Sequence, residues 1–127
     1  MSYPNDRKYA KSHEWVLVDG NTATVGITNH AQDALGELVY VDLPEEGDEV
    51  TAGESCCEVE STKAVSDVYA PISGTVAAVN EELDGNEETV NSDPHGGGWL
   101  LKITMSDPSE LDGLMDADAY AAHASEG

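Results

Sequence analysis

Basic side chains are nearly absent from this chain. Of its 127 residues only five are Lys or Arg, whereas 26 are Asp or Glu, and the formal net charge is −21. Nucleic acids and anionic membranes attract proteins chiefly through Lys and Arg, which neutralise phosphate. The composition therefore argues against both kinds of partner. Because the acidic residues are spread along the chain and do not form one tail, they favour a folded protein adapted to a salty, halophilic cytosol over a disordered acidic segment.

Cysteine, phenylalanine and long apolar runs are also scarce. The chain has no Phe, and its only cysteines are the neighbours Cys56 and Cys57. A disulfide between adjacent residues needs a strained geometry, so we expect two reduced thiols on opposite faces of a strand. The four His show no metal-ligand spacing, which argues against a metal site. Since no run approaches the ~18 apolar residues of a membrane span and no signal peptide opens the chain, we expect a cytoplasmic protein.

Short β-type runs separated by turn residues dominate the rest of the pattern. An Asp-Gly pair between residues 15–18 and 22–27 predicts a β-hairpin. Thr28 as an N-cap and Gly36 as a stop predict a short helix. Further strands are predicted over 38–43, 55–60, 65–70, 75–79 and 99–105, with a helical turn or two within 80–90 and a loop over 91–98.

A last helix is predicted after the final strand. Asp107 is placed as its N-cap, Pro108 as its first residue and Glu110 as a partner in a capping box. Many short strands with peripheral helices predict a mostly β fold, a small barrel or sandwich. With no linker in sight, we expect one domain over residues 1–127.

Lys63 stands out because the chain keeps so few lysines. After Ser12 only Lys63 and Lys102 are basic, and Lys63 lies in the run Glu60-Ser61-Thr62-Lys63-Ala64 between two predicted strands. In an ordinary chain a turn lysine is a solvated surface residue. Here a single flexible amine between two predicted strands indicates an attachment point for a covalent group.

The segment around Lys63 resembles lipoyl-type carrier domains, whose modified lysine sits at the tip of a β-hairpin. Biotin carriers flank that lysine with methionines, whereas Thr62 and Ala64 flank it here, which favours lipoate. A wider set of motifs is similar to the H proteins of the glycine cleavage system. These motifs are Ser12-His13-Glu14-Trp15, the run from Gly26 to Gly36, Glu60 to Ala64, Ser66-Asp67 and Gly98-Trp99-Leu100.

The resemblance runs from about Tyr9 to Tyr120 and carries expectations about fold and function. It implies a lipoyl-type flattened β-barrel, a barrel-sandwich hybrid, with the lysine at a hairpin tip. It also implies a non-catalytic carrier with lipoate on Lys63. The carrier would take an aminomethyl group from a glycine decarboxylase to an aminomethyltransferase. A dihydrolipoamide dehydrogenase would re-oxidise the arm, and a lipoylating enzyme would first attach it.

Six further residues receive roles from the same resemblance. Glu60 and Gly74 match positions that help a lipoylating enzyme recognise the hairpin, although Gly74 could be an ordinary turn glycine. The remaining four match residues of a cleft that holds the loaded arm: Ser12, Glu14, His30 and Asp67. The simpler interpretation is that Glu14 is an exposed acid and His30 a first-turn helix residue.

Two other functions stay open on the sequence alone. One is a lipoyl donor or relay in lipoate metabolism, which would also need a modified Lys63. The other is an acidic interaction domain without any modification. The pair Cys56-Cys57 departs from the resemblance, since many relatives have an aromatic residue and a glycine there.

Overall fold

The computed structural model describes residues 3–126 of the chain and the side chains of residues 3–124. Within that range the chain is mostly β, with short helices at the periphery, as the sequence predicts. The strands are β1 (Lys8–Tyr9), β2 (Glu14–Asp19), β3 (Thr22–Ile27), β4 (Leu38–Asp42), β5 (Glu49–Val50), β6 (Ser55–Ser61), β7 (Val65–Tyr69), β8 (Gly74–Val79) and β9 (Leu101–Met105). The α-helices are α1 (Asn29–Leu35), α2 (Glu88–Ser92) and α3 (Ala117–Glu126), and two 3₁₀ turns span Glu81–Leu83 and Pro108–Gly113.

The strands form two antiparallel sheets. The larger has the order β1-β2-β3-β9-β8-β5 and the smaller the order β4-β6-β7. The predicted first hairpin is confirmed, because Asp19 pairs with Thr22 across a two-residue turn and Gly20 adopts a φ of 64°. Apolar side chains from both sheets meet in one buried cluster that includes Val16, Val59 and Ile103. Burial of this shared face holds the two sheets together.

Helix α1 links the two sheets and has the predicted ends. The Thr28 hydroxyl accepts a hydrogen bond from the Ala31 N–H (3.2 Å), as an N-cap does. Gly36 ends the helix with a φ of 89°, a conformation that side chains with a Cβ rarely adopt. Ala31 and Leu35 pack against the main core. The helix is thereby fixed with one face available to line a cleft.

The C-terminal part differs from the prediction. The segment after Asp107 forms a 3₁₀ turn and not the predicted α-helix. Two of its predicted features are confirmed, since Pro108 is its first residue and the Asp107 carboxylate accepts a hydrogen bond from the Ser109 N–H (3.2 Å). The Glu110 carboxylate does not cap it, because it accepts hydrogen bonds from the Ser73 N–H (2.7 Å) and hydroxyl (2.9 Å). A tertiary partner has replaced the local one. The predicted loop over 91–98 is also partly wrong, since α2 continues to Ser92.

Cys56 and Cys57 are free thiols, but the prediction that they point to opposite faces is wrong. Their sulfurs lie 3.6 Å apart. The strand pairing shifts between Ser55 and Cys57, so that Cys56 is an extra residue in a β-bulge. Because a bulge interrupts the alternation of a strand, neighbouring side chains can lie on the same side. No helix within residues 3–126 is long and apolar enough to cross a membrane.

Candidate functional site

Lys63 lies in the tight turn between β6 and β7, where the predicted hairpin tip is found. Ser61 organises this turn through one hydroxyl. Its oxygen accepts hydrogen bonds from the Lys63 and Ala64 N–H groups (both 3.1 Å) and donates to the Ala64 carbonyl (3.2 Å). The Ser61 N–H also donates to that carbonyl (2.8 Å). The backbone that carries Lys63 is therefore well fixed, while its side chain is exposed.

The Lys63 side chain runs across the end of helix α1. A Cβ at Gly36 would lie 2.7 Å from Lys63 Cε and 3.4 Å from Nζ, so the stem passes close to this glycine. The Thr62 N–H donates to the Glu37 carbonyl (3.0 Å), which ties the hairpin tip to the same segment. Within residues 3–126 Lys63 makes no ion pair. Its amine is thus presented at the surface and free to react.

A cleft of about 330 Å³ lies beside α1 and β7. It contains all four residues that the resemblance assigns to an arm cleft: Ser12, Glu14, His30 and Asp67. Its other walls are apolar or small, and they are formed by Ile27, Ala31, Ala34, Leu35, Val59 and Val68, together with His13 and Ser66. Helix α1 lines this cleft and ends at the Gly36 that supports Lys63. Asp67 lies four residues beyond Lys63, about 13 Å along an extended strand.

Glu14 is the chemically unusual residue of the cleft. Its side chain is only 2% exposed, although the simpler interpretation had it as a surface acid. Burial raises its pKa from 4.5 to about 7. That rise is opposed by a hydrogen bond from the Ser12 hydroxyl and by hydrogen bonds from the backbone of Tyr69 and of Glu14 itself. No cation pairs with it among the residues that the structure describes. A buried carboxyl that lacks a counter-charge is well suited to receive a cationic ligand.

His13 is a cleft residue that sequence reasoning missed. It has a φ of 76°, which is uncommon for a residue other than glycine and often marks a functional site. Its ring centre lies 4.6 Å from that of His30 and 5.6 Å from that of His123. Its Nδ1 lies 2.7 Å from the Tyr120 hydroxyl. The sequence offered one signal for it, namely its place between Ser12 and Glu14.

Three imidazoles therefore gather beside the cleft although the sequence scatters them, and His13 and His30 of these line it. Burial lowers the pKa of His13, and the neighbouring His30 and His123 lower it further. The Tyr120 hydroxyl lies 2.7 Å from the Thr28 hydroxyl as well, so helix α3 is joined to the N-terminus of α1. Within residues 3–126 no three His, Cys, Asp or Glu side chains are arranged to bind a metal.

Glu60 and Gly74 lie outside the cleft. Glu60 is exposed on β6, paired with Tyr40 on one side and Val65 on the other, both of them more than half exposed. Gly74 is buried at the start of β8, where an added Cβ would lie 2.0 Å from the Thr104 carbonyl oxygen. Close packing of β8 on β9 accounts for this glycine. It is not the turn glycine of the simpler interpretation, because it pairs with Val50 and Met105 within the sheet.

The arrangement joins an exposed amine on a rigid hairpin to a cleft with an acidic end and apolar walls. A long, flexible, mostly apolar group on the Lys63 amine could fold back along β7. Its stem would contact the apolar wall and a cationic end would meet Glu14 and Asp67. The geometry thus suits holding and presenting a tethered group.

Comparison with known proteins gives a consistent result. The family model described as glycine cleavage H-protein matches residues 7–127. The glycine cleavage system H protein of Micrococcus luteus is 61% identical over 126 residues, which cover 98% of each chain. That of Beutenbergia cavernae is 56% identical and covers 96% of each chain. The crystal structure of such a protein from Mycobacterium marinum superposes with a TM-score of 0.87 at 44% identity, covering 94% of this chain and 97% of that one.

Proposed function

The chain belongs to the glycine cleavage H-protein family, and from that premise we propose that it carries an aminomethyl group on a lipoyl arm attached to Lys63. The relatives reported above are named for glycine cleavage, which supports a carrier in that system over a lipoyl relay in lipoate metabolism. The observation that carries the proposal is the combination of an unpaired hairpin lysine with a neighbouring cleft that ends in a buried carboxyl.

The structure provides a test of whether a lipoyl group fits. The Lys63 stem passes beside Gly36, and its amine forms no ion pair with an acidic residue in the described part of the chain. Acylation of this amine removes a positive charge without disrupting an ion pair. Ser61 fixes the turn through its hydroxyl, so the attachment point does not move with the arm. These features fit a tether that is mobile at its far end and fixed at its root.

When bound, the lipoyl group supplies a dithiolane that accepts the aminomethyl group and later releases it. The residues of the chain have a different task, which is to hold and protect the cargo. Glu14 and Asp67 are placed to pair with its cationic amine, and Ser12 orients the Glu14 carboxyl through a hydrogen bond. His30 lines the same cleft. An amine bound to Glu14 would favour the ionised carboxylate that burial otherwise disfavours.

Partner enzymes must reach the arm from outside the cleft. We assign them by class as a glycine decarboxylase, an aminomethyltransferase, a dihydrolipoamide dehydrogenase and a lipoylating enzyme. The exposed Tyr40, Glu60 and Val65 form a row across the small sheet next to the Lys63 turn. This row offers the lipoylating enzyme a surface to recognise. Gly74, being buried, would contribute only through the close packing of β8 and β9. The protein itself acts as a carrier and not as a catalyst, and we place it in the cytoplasm.

The proposal is tested by the mass of the peptide that contains Lys63. The chain is incubated with a lipoylating enzyme, lipoate and ATP, and then digested and analysed by mass spectrometry. We expect one lipoyl group per chain, located on Lys63, and none on a Lys63→Arg variant. Modification of Lys102 in place of Lys63, or no modification of a folded chain, would overturn the assignment. A Glu60→Gln variant with slower modification would support the role given to that residue.

A further inference from the structure

The two cysteines of the chain lie side by side in the β6 bulge and do not line the arm cleft. The Cys56 and Cys57 sulfurs are 3.6 Å apart on the same side of the strand. Cys57 is 4% exposed and packs in the main core, while Cys56 is half-buried and can be reached from outside. An open cavity of about 320 Å³ borders both residues. The fold thus holds two thiols next to each other in advance of any ligand.

The surroundings of the pair limit its chemistry. Four carboxylates border the same cavity: Asp42, Asp48, Glu58 and Asp67. The hydrogen bond to Cys56, burial and the nearby Glu14 and Asp42 raise the pKa of the Cys57 thiol well above its usual range. Reactions that begin with a thiolate, such as oxidation by peroxide, are slow under these conditions. A disulfide between these neighbours would also need a strained ring.

The separation of the two sulfurs suits a different reaction, in which both sulfurs bind the same soft atom. Two sulfurs ~2.3 Å from one shared soft atom lie about 3.3–3.8 Å apart for bond angles between about 90° and 110°, a range that includes the separation seen here. Within residues 3–126 no third donor is placed to complete a metal site. The centre must therefore need only two ligands from the protein. A trivalent organoarsenous group satisfies this condition, since its third bond is to its own carbon.

We propose that Cys56 and Cys57 form a paired-thiol site that captures a trivalent, thiol-seeking metalloid of the type R–As(OH)₂. Two S–H bonds and two As–OH bonds break, two S–As bonds form and two water molecules leave. No atom changes oxidation state. The product carries no charge, so the acidic surroundings do not oppose it. Asp67 borders both this cavity and the arm cleft, but neither cysteine lines that cleft, and the thiol pair would remain in a chain that lacks the arm.

The test uses the full-length Lys63→Arg chain, in which no dithiol of the arm can compete. Phenylarsine oxide, which hydrates to this type of compound, is added after phosphine reduction, and binding is followed by native mass spectrometry. We expect one phenylarsenic group per chain, removed by a dithiol but not by an equal concentration of a monothiol. Cys56→Ala, at a half-buried position, should keep the fold and bind at least a hundredfold more weakly.

Two further measurements make the outcome decisive. Cys57→Ala should lose binding to the same extent. The chain in concentrated urea should bind at least tenfold more weakly than the native chain, because the bulge no longer holds the two sulfurs side by side. Equal binding by the native chain and either single-cysteine variant would overturn the proposal. So would a native chain that takes up no arsenical, or equal affinity of the native and unfolded chains.

Discussion

Replacing Glu14 by Gln should change how the stability of the protein depends on pH. The structure buries this carboxyl and raises its pKa from 4.5 to about 7. At about 1.4 kcal/mol per pH unit, that difference corresponds to about 3 kcal/mol. Because the pKa is raised in the folded state, the folded chain holds the proton between pH 4.5 and 7 whereas the unfolded chain releases it. The contribution of Glu14 is therefore fully present below pH 4.5 and is lost as the pH rises through 7.

The assay is urea unfolding of the unmodified chain at pH 5 and pH 8, followed by tryptophan fluorescence. Relative to Glu14→Gln, the wild-type chain should lose about 2.5 kcal/mol of its free energy of unfolding between these two pH values, because part of the contribution is already lost at pH 5. Gln is nearly isosteric, and any constant cost of the amide cancels in this difference. Glu54→Gln, at an exposed acid, should follow the wild-type profile. Parallel profiles for wild type and Glu14→Gln would show that the carboxyl is not strained by burial, and would refute the reasoning.

Three further predictions concern packing, the turn and charge. Gly74→Ala should lower the free energy of unfolding by about 2 kcal/mol or more in urea titrations, because its Cβ would collide with the Thr104 carbonyl, whereas Gly113→Ala has open space and should change it little. Ser61→Ala should lower the free energy of unfolding by about 1–2 kcal/mol and slow enzymatic lipoylation, because the N–H groups of the turn lose their acceptor. Thr62→Ala, at an exposed side chain, is the control, and equal lipoylation rates for the two variants would contradict this prediction. With a net charge of −21, the urea midpoint should rise from low to molar KCl, and a flat response would count against salt adaptation.

Local signals in the sequence were sufficient for the elements whose ends are set locally. Helix α1 was predicted because Thr28 caps it and Gly36 ends it, and both contacts form as expected. The first hairpin was predicted because an Asp-Gly pair fixes its turn. In the C-terminal part a tertiary contact prevailed, since Glu110 binds Ser73 instead of capping its own turn. Two-residue strands such as β1 have too few residues to give a periodic pattern.

The cleft could be assigned only through resemblance to a family. Spacing alone does not bring the Ser12–Glu14 segment together with His30 and Asp67, because these three parts of the chain meet only in the fold. The burial of Glu14 and the positive φ of His13 depend on the same packing and leave no mark on the sequence. The bulge at Cys56 was also missed, since the pattern of β6 gives no sign of an extra residue.

The exchange of labelled bicarbonate into glycine tests the central claim most directly. The lipoylated chain is mixed with a glycine decarboxylase of a related system, glycine and labelled bicarbonate. We expect exchange that depends on the chain and saturates with its concentration, and no exchange above background with Lys63→Arg. Equal exchange by wild type and Lys63→Arg, or none by a fully lipoylated wild-type chain, would contradict the claim that this protein carries the aminomethyl group on Lys63.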